Sequence, residues 1–194
     1  MNSELKPLTT EILIRLQEKD LPVDWTMLSE KYELSDKFIA QYHDKIDWWC
    51  ISGYQKLSEE FITKYQDQVN WINISGHQQL SEEFITAHQD QVDWWNISLC
   101  QELSEEFIDK YQDRIEWLRI SKCQQLSEEF IIAHQDQVSW KYISSSQQLS
   151  EEFIVTHLDR LDLNIIKTKY PEVYNRYCLD VFQGITTGGR IGRT

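Results

Sequence analysis

A period of 23 residues constrains this chain more than any other feature. From Leu34 onward the same pattern returns without insertion or deletion, opening at Leu34, Leu57, Leu80, Leu103, Leu126 and Leu149. A fixed period in this range is the signature of a solenoid. Its units are too small to bury an apolar face alone and do so only against their neighbours. The copy LSEEFIDKYQDRIEWLRISKCQQ, residues 103–125, serves as the type, with positions counted from its leucine.

Position 2 is serine in every copy (Ser35, Ser58, Ser81, Ser104, Ser127, Ser150), and mostly acidic residues follow. Such a serine predicts a helix N-cap, with the carboxylates at the positive end of the helix dipole. Phe stands where the Glu or Gln of a capping box would be, so Ser104 is expected to cap alone. The leucine before the cap can pack on the Ile of position 6 as a hydrophobic staple. Phe107, Ile108 and Tyr111 then form one apolar face. Position 11 is Asp throughout (Asp44, Asp67, Asp90, Asp113, Asp136, Asp159). It reads as the N-cap of a second short helix carrying Val or Ile at 13, Trp at 15 and Ile at 18. A ladder of carboxylates also raises the alternative of a cation or base site. The spacing to the next apolar residues is what a cap requires. Ser at 19 and Gln at 22 close the unit.

Residues 1–33 read as a degenerate N-terminal capping repeat: Leu8–Leu13 matches LSEEFI in type, and Trp25 to Ser29 matches W-x-x-I-S, with three extra residues near Pro22. Six regular repeats fill 34–171, the last losing its pattern at Leu163, Lys167 and Tyr170. Pro171 opens a closing helix, 172–182, with Val173, Tyr177 and Val181 toward the last repeat. Residues 183–194, rich in Gly with two Arg and no acid, are expected to be a flexible tail.

The net charge of -13 argues against direct nucleic-acid binding, which needs a basic surface. The third repeat, with Glu82, Glu83, Asp90, Asp93 and Glu102 and no Lys or Arg, is the acidic centre; Glu82, Glu83 and Asp93 are its candidate patch. Four cysteines make no disulfide framework. Cys100 and Cys123 share position 21 of adjacent copies, and helices packed about 8–10 Å apart exceed the reach of a bridge. Reduced thiols point to an intracellular, cytoplasmic protein. No secretory signal pattern opens the chain, and no apolar run approaches a membrane span.

His88, His134 and His157 occupy position 9, which is Tyr in other copies, and so read as half-buried aromatics with a polar tip rather than metal ligands. No P-loop, GxGxxG, HExxH or nucleophile elbow occurs. The expectation is a protein that is no enzyme and uses no cofactor or metal. Position 16 carries Trp49, Ile72, Trp95, Leu118 and Lys141. On a helical wheel it lies away from positions 15 and 18, so it either forms an exposed apolar stripe or packs on the neighbouring repeat. Asn73, Asn96, Arg119 and Tyr142 at position 17 would border it. The candidate partner-binding set is Trp49, Ile72, Trp95, Leu118 and Tyr142.

Over residues 34–166 the repeat resembles a family of tandem LSEEFI…W-x-x-I-S proteins of giant DNA viruses and bacteriophages, a resemblance that implies no particular activity. Its two-helix unit is also similar to the leucine-rich variant repeat, which implies a right-handed superhelix, although the proline common in that repeat is absent here. The expected fold is an all-α, right-handed solenoid of short helix pairs. The expected function is a protein–protein interaction scaffold of unknown oligomeric state. The alternatives are an acidic decoy that occupies a nucleic-acid-binding protein, as a viral counter-defence factor would, and a structural virion or assembly component.

Overall fold

The computed structural model describes residues 6–8, 12, 14 and 23–178. The chain divides into two compact units, Met1–Gln101 and Glu102–Thr194. In the first, second-type helices Trp25–Lys31, Trp48–Tyr54, Trp71–His77 and Trp94–Cys100 alternate with first-type helices Asp36–Gln41, Glu59–Lys64 and Glu82–Ala87. In the second, Glu105–Lys110, Glu128–Ala133 and Glu151–Thr156 alternate with Trp117–Cys123, Trp140–Ser146 and Leu163–Lys169. Within each unit, each second-type helix packs on the next of its kind, the stacking of an all-α solenoid. The described residues add one departure from pure helix, a parallel pairing of Lys6–Pro7 with Tyr32–Glu33.

Helices of six or seven residues are far too short to hold in water alone. Burial holds them. The Ile at positions 6 and 18 is 0% exposed in every copy, from Ile39 and Ile51 to Ile154 and Ile166. Each such side chain contributes about 1.5–3 kcal/mol relative to exposure. An aromatic relay joins neighbours: the Trp48 ring lies 5.2 Å from that of Tyr65 in the next copy, which lies 4.6 Å from Phe61. In the second unit Trp117 stands 4.8 Å from His134, and His134 4.3 Å from Phe130. The histidines of position 9 thus take the place of Tyr in the relay.

Buried polar ladders run beside the apolar core. Gln78 is 7% exposed, and its Oε1 accepts the Leu57 amide. Its Nε2 donates to the carbonyls of Ser52 and Gln55 in the preceding copy. Gln55, Gln101 and Gln147 repeat the arrangement. Ser52, fully buried, donates to the Trp48 carbonyl and accepts the Asn70 amide of the next copy. Buried polar groups are tolerated only when bonded, and each buried side-chain N or O among the described residues has a partner. Positions 19 and 22 therefore join successive copies within a unit rather than merely closing each copy.

The caps come out half as expected. Ser104 is an N-cap and accepts the Phe107 amide at 3.1 Å, as do its counterparts. Asp113 is not a cap. Its counterpart Asp67 lies in a turn whose Gln68 and Val69 amides both bond the Tyr65 carbonyl, and Asp113 sits in the same exposed turn. The second helix starts at position 15, and the cap seat is position 14: Asp24, Asp47, Asn70, Asp93 and Asp162 each accept a helix amide. Glu116 and Ser139 occupy that seat without a side-chain cap bond. The physical reason is reach: an Ncap side chain bonds the amide two or three residues on, and position 11 is four residues from the first helical residue.

At the C-terminal end Tyr170 takes the place of the ladder glutamine. Its hydroxyl accepts the Leu149 amide at 2.9 Å, while Lys169 donates to the Gln147 carbonyl. The closing segment has Pro171 at its first position as expected, but Pro171–Val173 passes into a five-residue π-helix, Tyr174–Cys178, rather than a continuous α-helix. Arg176 ties it to Glu151 at 2.6 Å. Val181, the tail 183–194 and the expected insertion near Pro22 lie outside the described residues.

Candidate interaction surface

Position 16 follows from the helix it sits on. Within Trp71–His77, positions 18 and 19 point into the core (Ile74 and Ser75, both 0% exposed), which turns position 16 outward. Trp49 is 54%, Ile72 59% and Trp95 45% exposed in the first unit, and Leu118 50% in the second. Each therefore presents much of its surface to solvent rather than being buried against the neighbouring repeat. Tyr54, five residues after Trp49, is 43% exposed and stands edge-on to that ring at 6.2 Å, a neighbour the helical wheel did not single out.

The border differs from expectation. Asn73 is buried, at 8%, and donates to the Trp49 carbonyl of the preceding copy; Asn96 does the same to Ile72. They are struts. Each fits because position 20 of the preceding copy is glycine: a Cβ on Gly53 would lie 3.3 Å from Asn73 Nδ2, and one on Gly76 3.2 Å from Asn96 Oδ1. In the second unit the equivalent positions hold Lys122 and Tyr142, with the ammonium 5.8 Å from the ring centroid. Tyr142 is half-buried.

The acidic patch is partly dismantled. Asp93 is a half-buried cap that accepts the Asn96 amide, so it is committed to its helix. Glu82 is half-buried and Glu83 exposed. Glutamates at position 3 tie successive copies together. Glu59 accepts both the amide and the hydroxyl of Ser81, and Glu105 and Glu128 hold Ser127 and Ser150 likewise.

Cys50 is buried. Burial first, then the Asp47 and Glu30 carboxylates, push its thiol up to about 11. No group of three or more His, Cys, Asp or Glu among the described residues is placed to hold a metal ion. No helix there is long and apolar enough to cross a membrane. No family model, curated protein or solved structure matches this chain.

Proposed function

We propose that the chain is a non-enzymatic scaffold that holds a protein partner on the outward side of its second-type helices. The observation that carries this reading is the exposure of Trp49, Ile72 and Trp95 at one repeat position, while the residues two and three places on are buried. Large apolar side chains repeated on a surface are what interfaces use, and aromatic anchors dominate their energetics. The helices around them are held by internal ladders, while Trp49, Ile72 and Trp95 each keep a large part of their surface open to solvent. The partner acts inside the cell, where exposed thiols such as Cys123 stay reduced.

The test is affinity capture from the native host with the parent and a Trp49→Ala/Trp95→Ala variant side by side, followed by calorimetry on the captured partner. Helicity should be unchanged, and each substitution should weaken binding by more than about 1 kcal/mol. Equal capture by both proteins would sink the reading. The acidic decoy has less support, because Asp93 of its patch is committed as a helix cap and Glu59, Glu105 and Glu128 each hold a serine of the next copy. A DNA-binding enzyme as the captured partner would nevertheless favour it, and capsid proteins would favour a structural role in assembly.

A further inference from the structure

Charge in the second unit is segregated by helix type. Its three first-type helices carry seven carboxylates (Glu105, Glu106, Asp109, Glu128, Glu129, Glu151, Glu152) against one lysine. Its three second-type helices carry five cations (Arg119, Lys122, Lys141, Lys167, Lys169) and no carboxylate. Of the first unit's four second-type helices, Trp48–Tyr54, Trp71–His77 and Trp94–Cys100 carry neither Asp, Glu, Lys nor Arg, and Trp25–Lys31 carries Glu30 and Lys31. Five of the nineteen Lys and Arg of a chain of net charge -13 thus sit on second-type helices of the second unit that carry no carboxylate.

Those cations border apolar surface. Leu118 is 50% exposed one turn before Lys122. An open depression of about 620 Å³ is lined by Lys141, Ser145, Asn164, Ile165, Thr168 and Lys169. Asp162 also reaches it but is engaged as a cap, accepting the Asn164 and Ile165 amides. Lys169 is partly occupied by the Ser145 and Gln147 carbonyls, whereas Lys141 is exposed and makes no ion pair among the described residues.

We propose that the outward side of the second unit's second-type helices binds an acidic peptide segment bearing apolar side chains. Cations set among Leu118, Tyr142 and Ile165 suit carboxylates interspersed with aliphatic or aromatic groups. Electrostatic complementarity selects the partner and speeds its arrival. A nucleic acid is the lesser fit, since its continuous phosphate track needs a more extended basic surface than these few cations and offers no aliphatic side chains to Leu118 and Ile165. The inference rests on the same helix face as the proposed scaffold function but on different residues, so the two fail separately.

The test is fluorescence anisotropy with the full chain and a fluorescein-labelled peptide of Glu and Asp interspersed with Leu and Phe. Its Gln/Asn counterpart and a single-stranded oligonucleotide serve as comparisons. The acidic peptide should bind at least about tenfold more tightly than the neutral one, and weaken as NaCl rises from about 50 to about 300 mM. Lys122→Glu/Lys141→Glu should weaken it by about tenfold or more with unchanged circular dichroism, and Lys141→Gln, a milder change at an exposed site, by about threefold. Trp49→Ala/Trp95→Ala should leave it unchanged. No binding by the parent, indifference to both lysine variants, or tighter binding of the oligonucleotide would each overturn the inference. Loss on the tryptophan variant alone would do so too, by moving the acidic segment to the first unit.

Discussion

At the scale of single residues, the two aspartates of the repeat separate cleanly. Asp113→Ala should leave stability within about 0.5 kcal/mol of the parent, as surface changes do, whereas Asp93→Ala should cost about 1 kcal/mol, the worth of a cap. The reverse order in urea melts would restore position 11 as the cap. Ser139 holds the same backbone as Asp47 (φ -87, ψ 101 in both) but makes no side-chain cap bond. Ser139→Asp should therefore gain about 0.5–1 kcal/mol and raise the melting temperature by a few degrees. Cys50 supplies a pH prediction. Its thiol is raised from 9.0 to about 11 by burial and by Asp47 and Glu30, so the folded state holds that proton more tightly than the unfolded chain. The linked stability is fully present below about pH 9 and is lost as pH climbs through about 11. Alkylation at pH 8 should therefore modify exposed Cys123 long before buried Cys50. Equal rates, followed by peptide mass mapping, would contradict that burial.

At the scale of elements, the glutamine ladder is the strongest constraint. Gln78→Leu removes three bonds at once and strands the Leu57 amide and the Ser52 and Gln55 carbonyls in the core. Each stranded group costs about 1–3 kcal/mol, so the total should exceed about 3 kcal/mol despite the added apolar volume. A urea midpoint equal to the parent's would mean that water reaches the ladder. The ladder also shows what was legible in the sequence and what was not. The period, the helix pairing and the serine cap follow from spacing alone, because each is a one-dimensional property of a short helix, whereas spacing left position 16 open between an exposed stripe and packing on the neighbouring repeat. Gln78, Ser52 and Asn73 bond across copies to carbonyls 23, 26 or 24 residues away, or take an amide 18 away. No local pattern contains those partners. For Ser52 and Gln78 the available sign was a polar residue fixed in five of the six copies, at positions 19 and 22, beside a fixed apolar one. For Asp113 the invariance itself misled: the cap seat varies among Asp, Asn, Glu and Ser because all but Glu are ordinary capping residues, whereas an unvarying residue need not cap at all.

At the scale of the whole molecule, each copy depends on its neighbours for groups it cannot satisfy alone. The copy 103–125 keeps its Ser104 cap, the Trp117 Nε1 bond to the Gln112 carbonyl and the Leu103 bond to Gln124 when cut free. It loses the stack of Trp117 on His134, the Ser139 amide that bonds Ser121, and the Ser127 groups that Glu105 holds. Ile108 and Ile120, 0% exposed in the chain, would meet water. What remains is two short helices with few buried groups, below the length at which helices persist in water. The peptide 103–125 should therefore give a coil-like circular dichroism spectrum, while a chain of residues 103–178 should be strongly helical and melt cooperatively. Adding or removing one internal copy should shift stability by a roughly constant step, since the term gained or lost is one interface plus one unit. A folded, cooperatively melting 23-residue peptide would show that the unit is autonomous and that the ladders are accessory. An unfolded three-copy chain would show instead that order in the second unit is imposed from outside it.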